Sequence, residues 1–358
     1  MASLRRPAIA ILGTALLVSF AAAVAATNRA PRAPKQIDVW FRFQENVLTL
    51  HEPVVLLFEV HNGLKQPITL TVGSLTRQFY DLTLTTPSGQ VLHKAPFNGQ
   101  VDIVTIGDGK ITVAPGSDYK EPLVMNQWFP FETEGTYPLT SKLTSEIETA
   151  DGSFQAESQT DQLLINARNP TRLNKICANL ERQAEMATSV EAAQFPALAL
   201  SFVNDPIAVS YLARLLSAHS MAYASALRGL ERIGNDDAAE VLLSAMNENW
   251  ADTAELATWS LARMQDRIAN PRLKEAVRKA VERSSERARN EFIKKQIAYL
   301  DYRSPQLQEA AMQNLMKVED GLKQAEPVLQ RLADDPSQPA DVRAAARDAL
   351  EKVRRPQR

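Results

Sequence analysis

The hydrophobic period of this chain changes once, near Asn169, and that switch limits the fold more than any other feature. Upstream, apolar residues alternate. In "EPVVLLFEVHN", Val54, Leu56, Phe58 and Val60 fall on one face and Val55, Leu57, Glu59 and His61 on the other, the two-residue period of a β-strand. "QPITLTV" repeats this with Ile68, Leu70 and Val72, and "YDLTLTTPSGQVLHK" reads as a hairpin turning at Pro87-Ser88-Gly89. Further strands flank Pro115-Gly116 and fill "FETEGTYPLTSKLTSEI" and "GSFQAESQTDQLLINAR". Short strands separated by turn residues, with no helical run among them, predict an antiparallel sandwich over residues 36–169.

Downstream the period becomes helical. Leu173, Ile176, Cys177 and Leu180 form one stripe at i, i+3, i+4 and i+7. "ALRGLERIGNDDAAEVLLSAM" then reads as two short helices parted by Gly234-Asn235, and its pattern recurs. Ala226-Leu227 and Leu230 match Ser260-Leu261 and Met264, then Ala311-Met312 and Leu315, then Ala349-Leu350 and Val353. The spacing loosens between Pro271 and Pro305, where Arg272 to Leu300 reads as one long charged helix with Glu275, Glu282, Glu286 and Glu291 interleaved among Lys and Arg. Successive hairpins that bury their apolar faces against one another predict a helical solenoid over residues 170–358.

The first residues read as an export signal. Arg5 and Arg6 precede an apolar run from Ile9 to about Ala25, with an Ala-x-Ala exit at Ala23-Val24-Ala25. A cleaved signal over residues 1–26 is favoured over an uncleaved anchor, followed by a Pro-rich linker over 27–35. The expected location is periplasmic or secreted, with no membrane span in the mature chain. A single cysteine precludes an intrachain disulfide, and none sits near the exit to carry a lipid. A net charge of −2 on 358 residues lacks the basic excess of a general nucleic-acid binder.

The search for chemistry yields no site. "GDGK" at Gly107 to Lys110 lacks the glycine spacing and hydroxyl of a phosphate loop and reads as a turn between strands. His51-Glu52 precedes Pro53 in an extended segment, unlike a helical zinc motif. Asp236-Asp237 and Asp334-Asp335 read as helix-end residues, and Cys177 as core. Aromatic residues are the better binding candidates: Trp128, Phe129 and Phe131 around Pro130, which serve either the core or a partner with core favoured, and Trp250 between two helices. Trp259 is expected to be buried. No metal or cofactor is implied.

The strand-rich half resembles Ig-like sandwiches of secreted bacterial proteins, on Glu52-Pro53, "VHNGLKQPITL", Pro115-Gly116 and "EGTYPLTSKL" with Tyr137, and is similar in layout to a bacterial proteinase inhibitor domain. The helical half resembles HEAT-type repeats, with "IGNDDAAEVLLSAM" the best copy. That resemblance implies a curved surface used for protein binding. Three classes of function follow. The favoured one is an exported non-catalytic binding protein whose helical surface holds a protein or cell-envelope component. The others are a protease-inhibiting or carbohydrate-binding sandwich and a lyase-like enzyme on a helical scaffold.

Overall fold

The computed structural model describes residues 36–72, 79–94, 109–217, 222–246, 251–318 and 320–354. The expected signal and linker lie outside them, as does Trp250. A β-rich region comes first and a helical region follows, as the change of period predicts. No helix among the described residues is long and apolar enough to cross a membrane.

The strands are β1 Ile37–Phe43, β2 Val47–Thr49, β3 Val55–Asn62, β4 Ile68–Thr71, β5 Tyr80–Thr85, β6 Val91–His93, β7 Lys110–Val113, β8 Asp118–Val124, β9 Gly135–Leu143, β10 Ile147–Thr149, β11 Gly152–Phe154 and β12 Gln159–Asn166. They form three sheets, in the orders β1-β3-β8, β11-β10-β4-β7 and β2-β12-β9-β5-β6. Alternation sets the inner faces: Leu56, Phe58, Val60, Ile68 and Leu70 are fully buried, and the inward rows of all three sheets share one hydrophobic core. Apolar burial of this kind is the main stabilising term. One expectation is corrected here. The region is not wholly antiparallel, because β2 runs parallel to β12, with Val47 opposite Leu164 and Thr49 opposite Asn166. Three residues make β2 too short to show a period of its own, so only its long-range partner defines it.

The helices are α1 Pro170–Glu185, α2 Val190–Ser201, α3 Val209–Ser217, α4 Tyr223–Ile233, α5 Asp236–Ala245, α6 Ala251–Met264, α7 Pro271–Leu300, α8 Pro305–Met316, α9 Gly321–Asp334 and α10 Ala340–Arg354. The α4–α5 turn shows how local residues set the boundaries. Gly234 ends α4 in the left-handed conformation, φ 65°, which costs an L side chain but not glycine. Asn235 then caps α5 by accepting from the Ala238 N–H at 2.9 Å. Within α4, a Cβ on Gly229 would sit 2.9 Å from the Ser201 Cα and from Leu212, so glycine lets α4 approach the end of α2.

The matched positions of the repeat are buried except Val353, which is half-buried, but they do not share one spine. Helices α1 to α6 and the start of α7 enclose one core, which ends at Leu273 and Val277 with Val281 packed against it. A second core begins at Ile293 and is closed by α8, α9 and α10. Helix α7, 30 residues long and so about 45 Å, belongs to both. Between them, residues 285–292 bury no side chain. Apart from Ala288 and the exposed Phe292 the stretch is polar, as a solvent-crossing connector is, and ion pairs Glu275–Arg278 and Arg278–Glu282 line its approach. The loosened spacing between Pro271 and Pro305 is therefore this connector. A 30-residue helix shared by two cores replaces the regular hairpin that the HEAT-type resemblance requires.

Candidate functional site

Two places stand out: the joint between the β-rich and helical regions, where paired carboxylates are buried, and the outer face of α6, where a large ring is exposed.

The joint is built around three residues, 167–169, that separate β12 from α1. Asn169 caps α1 by accepting from the Arg172 N–H, and Pro170 occupies its first turn, where the missing N–H costs nothing. The cap fixes Arg172 so that its side chain reaches back to the β-rich region. Its Nε donates to Glu52 Oε1 at 2.6 Å, and its Nη2 donates to Glu45 Oε2 at 2.6 Å and to the Val47 carbonyl at 3.3 Å. Glu52 is held from its own side as well, accepting from the Thr49 N–H and hydroxyl. His51, with φ 73°, makes the bend that turns Glu52 inward. This segment is a turn rather than the extended stretch expected around His51-Glu52. Histidine tolerates the left-handed region better than most residues.

Arg168 makes the complementary tie. Its guanidinium grips both carboxylate oxygens of Asp205, with Nε to Oδ2 at 2.5 Å and Nη2 to Oδ1 at 3.0 Å. Asp205 also accepts from the Ile207 N–H and is 1% exposed. The hydrogen bond from Arg168 is the main reason its carboxyl titrates below the ordinary aspartate value of 3.8. A carboxylate whose folded-state value is depressed stabilises the fold above its unfolded value, and that contribution disappears as pH falls through the folded one. Asp205→Asn should therefore cost about 2 kcal/mol at pH 7. Urea unfolding at pH 7, 4 and 3 should show the gap to wild type shrinking below pH 3.8. A gap independent of pH would show that the paired charge contributes nothing.

Cys177 lies in the same region and is fully buried. Burial pushes its thiol up to about 12, so at neutral pH it is a small hydrophobe and not a thiolate. Asp236 accepts from the Ala269 and Asn270 N–H groups and Asp335 from the Ser337 N–H and hydroxyl. One member of each acidic pair thus serves backbone N–H groups, while Asp334 accepts from the Gln330 side chain.

The aromatic candidates separate. Phe129 and Phe131 are buried in the β core, Phe131 against Tyr137 with ring centroids 5.3 Å apart, so neither ring is presented to a partner. Trp128 is half-buried against that core, with the Lys94 ammonium 5.7 Å from its ring centre. The opposite happens on α6. Ala257, Leu261 and Met264 are fully buried, yet Trp259 is 52% exposed rather than buried. At about 100° per residue it points roughly 160° away from Leu261, a placement the helical period already contained. Its neighbours are anchored: the Thr258 hydroxyl lies 3.0 Å from the Ser284 hydroxyl of α7, and the Ser260 hydroxyl donates to Glu231 at 2.9 Å. Arg263 adds a fork to the same Glu231, two contacts of 2.6 Å. Further along, Phe292 and Tyr302 are 40% and 58% exposed.

Sequence reasoning missed Arg168, Arg172, Glu52 and Asp205. One signal was present: a cation in the first turn of a helix opposes the dipole and calls for a carboxylate partner.

No protein-family model matches this chain, and no curated protein matches it. Together with the three sheets, the parallel strand pair and the divided helical core, this overturns the identification as an Ig-like sandwich joined to HEAT-type repeats, including the likeness to a proteinase inhibitor domain. Among solved structures, partial similarity is found to the alkylpurine DNA glycosylase AlkC of Pseudomonas fluorescens, bound to DNA containing an abasic site analog (10% identity, 38% of this chain and 32% of that one, TM-score 0.20). It is found also to the sporulation control protein Spo0M of Bacillus subtilis (15% identity, 41% and 56%, TM-score 0.21) and to a mutant Salmonella alpha-2-macroglobulin (13% identity, 89% and 26%, TM-score 0.23). The chain spans 32%, 56% and 26% of those three chains, and overlaps at these scores assign it to no fold family.

Proposed function

We propose that this protein is a non-catalytic binding protein whose helical region holds a protein partner on the outer face of α6. The observation that carries this reading is Trp259, a large ring directed away from its own core and standing between two anchored neighbours. Exposed tryptophan on a rigid helix presents a large contact area at little entropic cost, and tryptophan is among the residues that dominate interface energetics. Phe292 on α7 and Tyr302 just after it are further exposed rings of the helical region. On this reading the helices act as an open stack whose edge binds, and the β-rich region is the closed head that carries it. Arg5, Arg6 and the apolar run after them support export, so the partner belongs to the cell envelope or the extracellular space.

The test is capture from envelope extract by a chain beginning at residue 27. Trp259→Ala should weaken binding of the captured protein by about 2 kcal/mol, roughly thirtyfold in affinity. Trp40→Ala, which removes a ring of 41% exposure on β1, should leave it unchanged. Equal loss with both substitutions, or none with Trp259→Ala, removes α6 as the binding face.

A further inference from the structure

Helix α7 presents a charged row that neither helical core covers. Arg272, Ala276, Lys279, Arg283, Arg287, Asn290 and Lys294 follow one another at spacings of three or four residues, so at 100° per residue they fall within about 80° of arc. All seven are exposed. The row therefore passes unbroken along both cores and the stretch between them, about 33 Å from Arg272 to Lys294 at 1.5 Å per residue.

Five of the seven are cations. Lys279 meets Glu275 at 3.3 Å, and Arg283 donates to the Lys279 carbonyl at 3.2 Å. Arg272, Arg283, Arg287 and Lys294 have no ion-pair partner among the described residues. The carboxylates of α7 lie off the row. Glu275 and Glu282 are tied to Arg278, Glu291 is about 80° from the row's centre, and Glu286, about 60° away, is the nearest. Lys279, Arg283 and Arg287 stand at successive i,i+4 positions, where like charges repel and destabilise a helix. An anionic surface laid along the row relieves that repulsion.

We propose that this row docks the protein on the surface of an anionic phospholipid bilayer, by charge and without insertion. A bilayer offers negative charge at every point along a straight row of this length, whereas a lone phosphate engages one or two cations. A protein partner is the poorer match. Protein interfaces are built around aromatic and large apolar anchors, and the uncharged members of this row are only Ala276 and Asn290. The distribution of charge also sets an orientation. Helix α7 holds nine Lys and Arg against four Glu, while residues 36–169 hold sixteen carboxylates against eight Lys and Arg. An anionic surface attracts the first and repels the second, so the protein adsorbs by α7 with the β-rich region turned away.

Co-sedimentation of a chain beginning at residue 27 with vesicles tests this, using phosphatidylcholine alone and an equal mixture of phosphatidylcholine and phosphatidylglycerol. Binding is expected only to the mixture, and should vanish as salt shortens the Debye length from about 10 Å to about 3 Å. Arg283→Gln with Arg287→Gln should weaken it roughly twentyfold, about fivefold for each cation. Glutamine is a good helix former and neither arginine is buried, so α7 should persist, as ellipticity at 222 nm would check. Lys65→Gln with Lys175→Gln removes the same charge from exposed positions off the row and should leave binding nearly unchanged. Glu286→Gln should tighten it severalfold, a gain that misfolding does not produce. Equal loss in the two double variants, no tightening in Glu286→Gln, or no preference for the anionic vesicles would overturn the proposal. Binding to poly-L-glutamate through the row, with none to vesicles, would overturn it too and assign the row to an acidic protein.

Discussion

Replacing Phe58 with alanine is expected to lower stability by about 3–5 kcal/mol, the range for removing a fully buried aromatic ring. Phe58 lies on β3, the middle strand of its sheet, and has no exposed surface. Its ring centre is 4.8 Å from Phe41, 5.0 Å from Tyr80 and 6.1 Å from Tyr119. Phe41 and Tyr80 also meet edge to face at 5.8 Å. The surrounding groups are poorly able to collapse into the space left behind. Phe41 is held by backbone pairing to β3 on one side, and the Tyr80 hydroxyl is fixed by Glu121 at 2.6 Å. Phe58→Leu, which leaves a smaller void, should cost about 1–2 kcal/mol. Urea unfolding followed by near-ultraviolet circular dichroism would measure both. A loss below about 1 kcal/mol for Phe58→Ala would mean that the core relaxes around the gap and that these rings are not its centre.

The second large effect is expected at Ala288, where nothing is packed. Ala288 is exposed in the stretch of α7 between the two helical cores. Proline there removes one backbone hydrogen bond and drives its ring against the carbonyl of Ser284, at a cost of about 3 kcal/mol or more. Glycine keeps the N–H and should cost about 1 kcal/mol. Because no side-chain contact is lost, the whole effect reports the continuity of the helix. Ala288→Pro should also split helix unfolding into two steps, since each core keeps its own contacts while the rod joining them is broken. A single unshifted transition followed at 222 nm would show that the cores do not communicate through α7.

The particular residues show what was readable without coordinates. The stripe Leu173, Cys177 and Leu180 is buried as its spacing requires, and so are the alternating residues of β3 and β4. Gly234 and Asn235 mark a helix boundary through their own backbone and side-chain chemistry. Trp259 was legible in principle, since its angle from Leu261 follows from the helical period alone. It was misassigned because a tryptophan in an apolar helix resembles core by composition. The Arg172–Glu52 tie joins residues 120 positions apart, and each residue taken singly looks like ordinary surface charge.

By itself, then, the sequence determined the order of β before α, the place of the change, most inward faces and many turn and cap positions. These are local properties, set by side-chain period and backbone preference within a few residues. Only the tertiary structure decided that the strands form three sheets with one parallel pair, that the helical residues divide between two cores, and that Glu52 is drawn under the joint. Those outcomes depend on which distant segments meet, and hydrophobic burial, being non-directional, does not specify the partner.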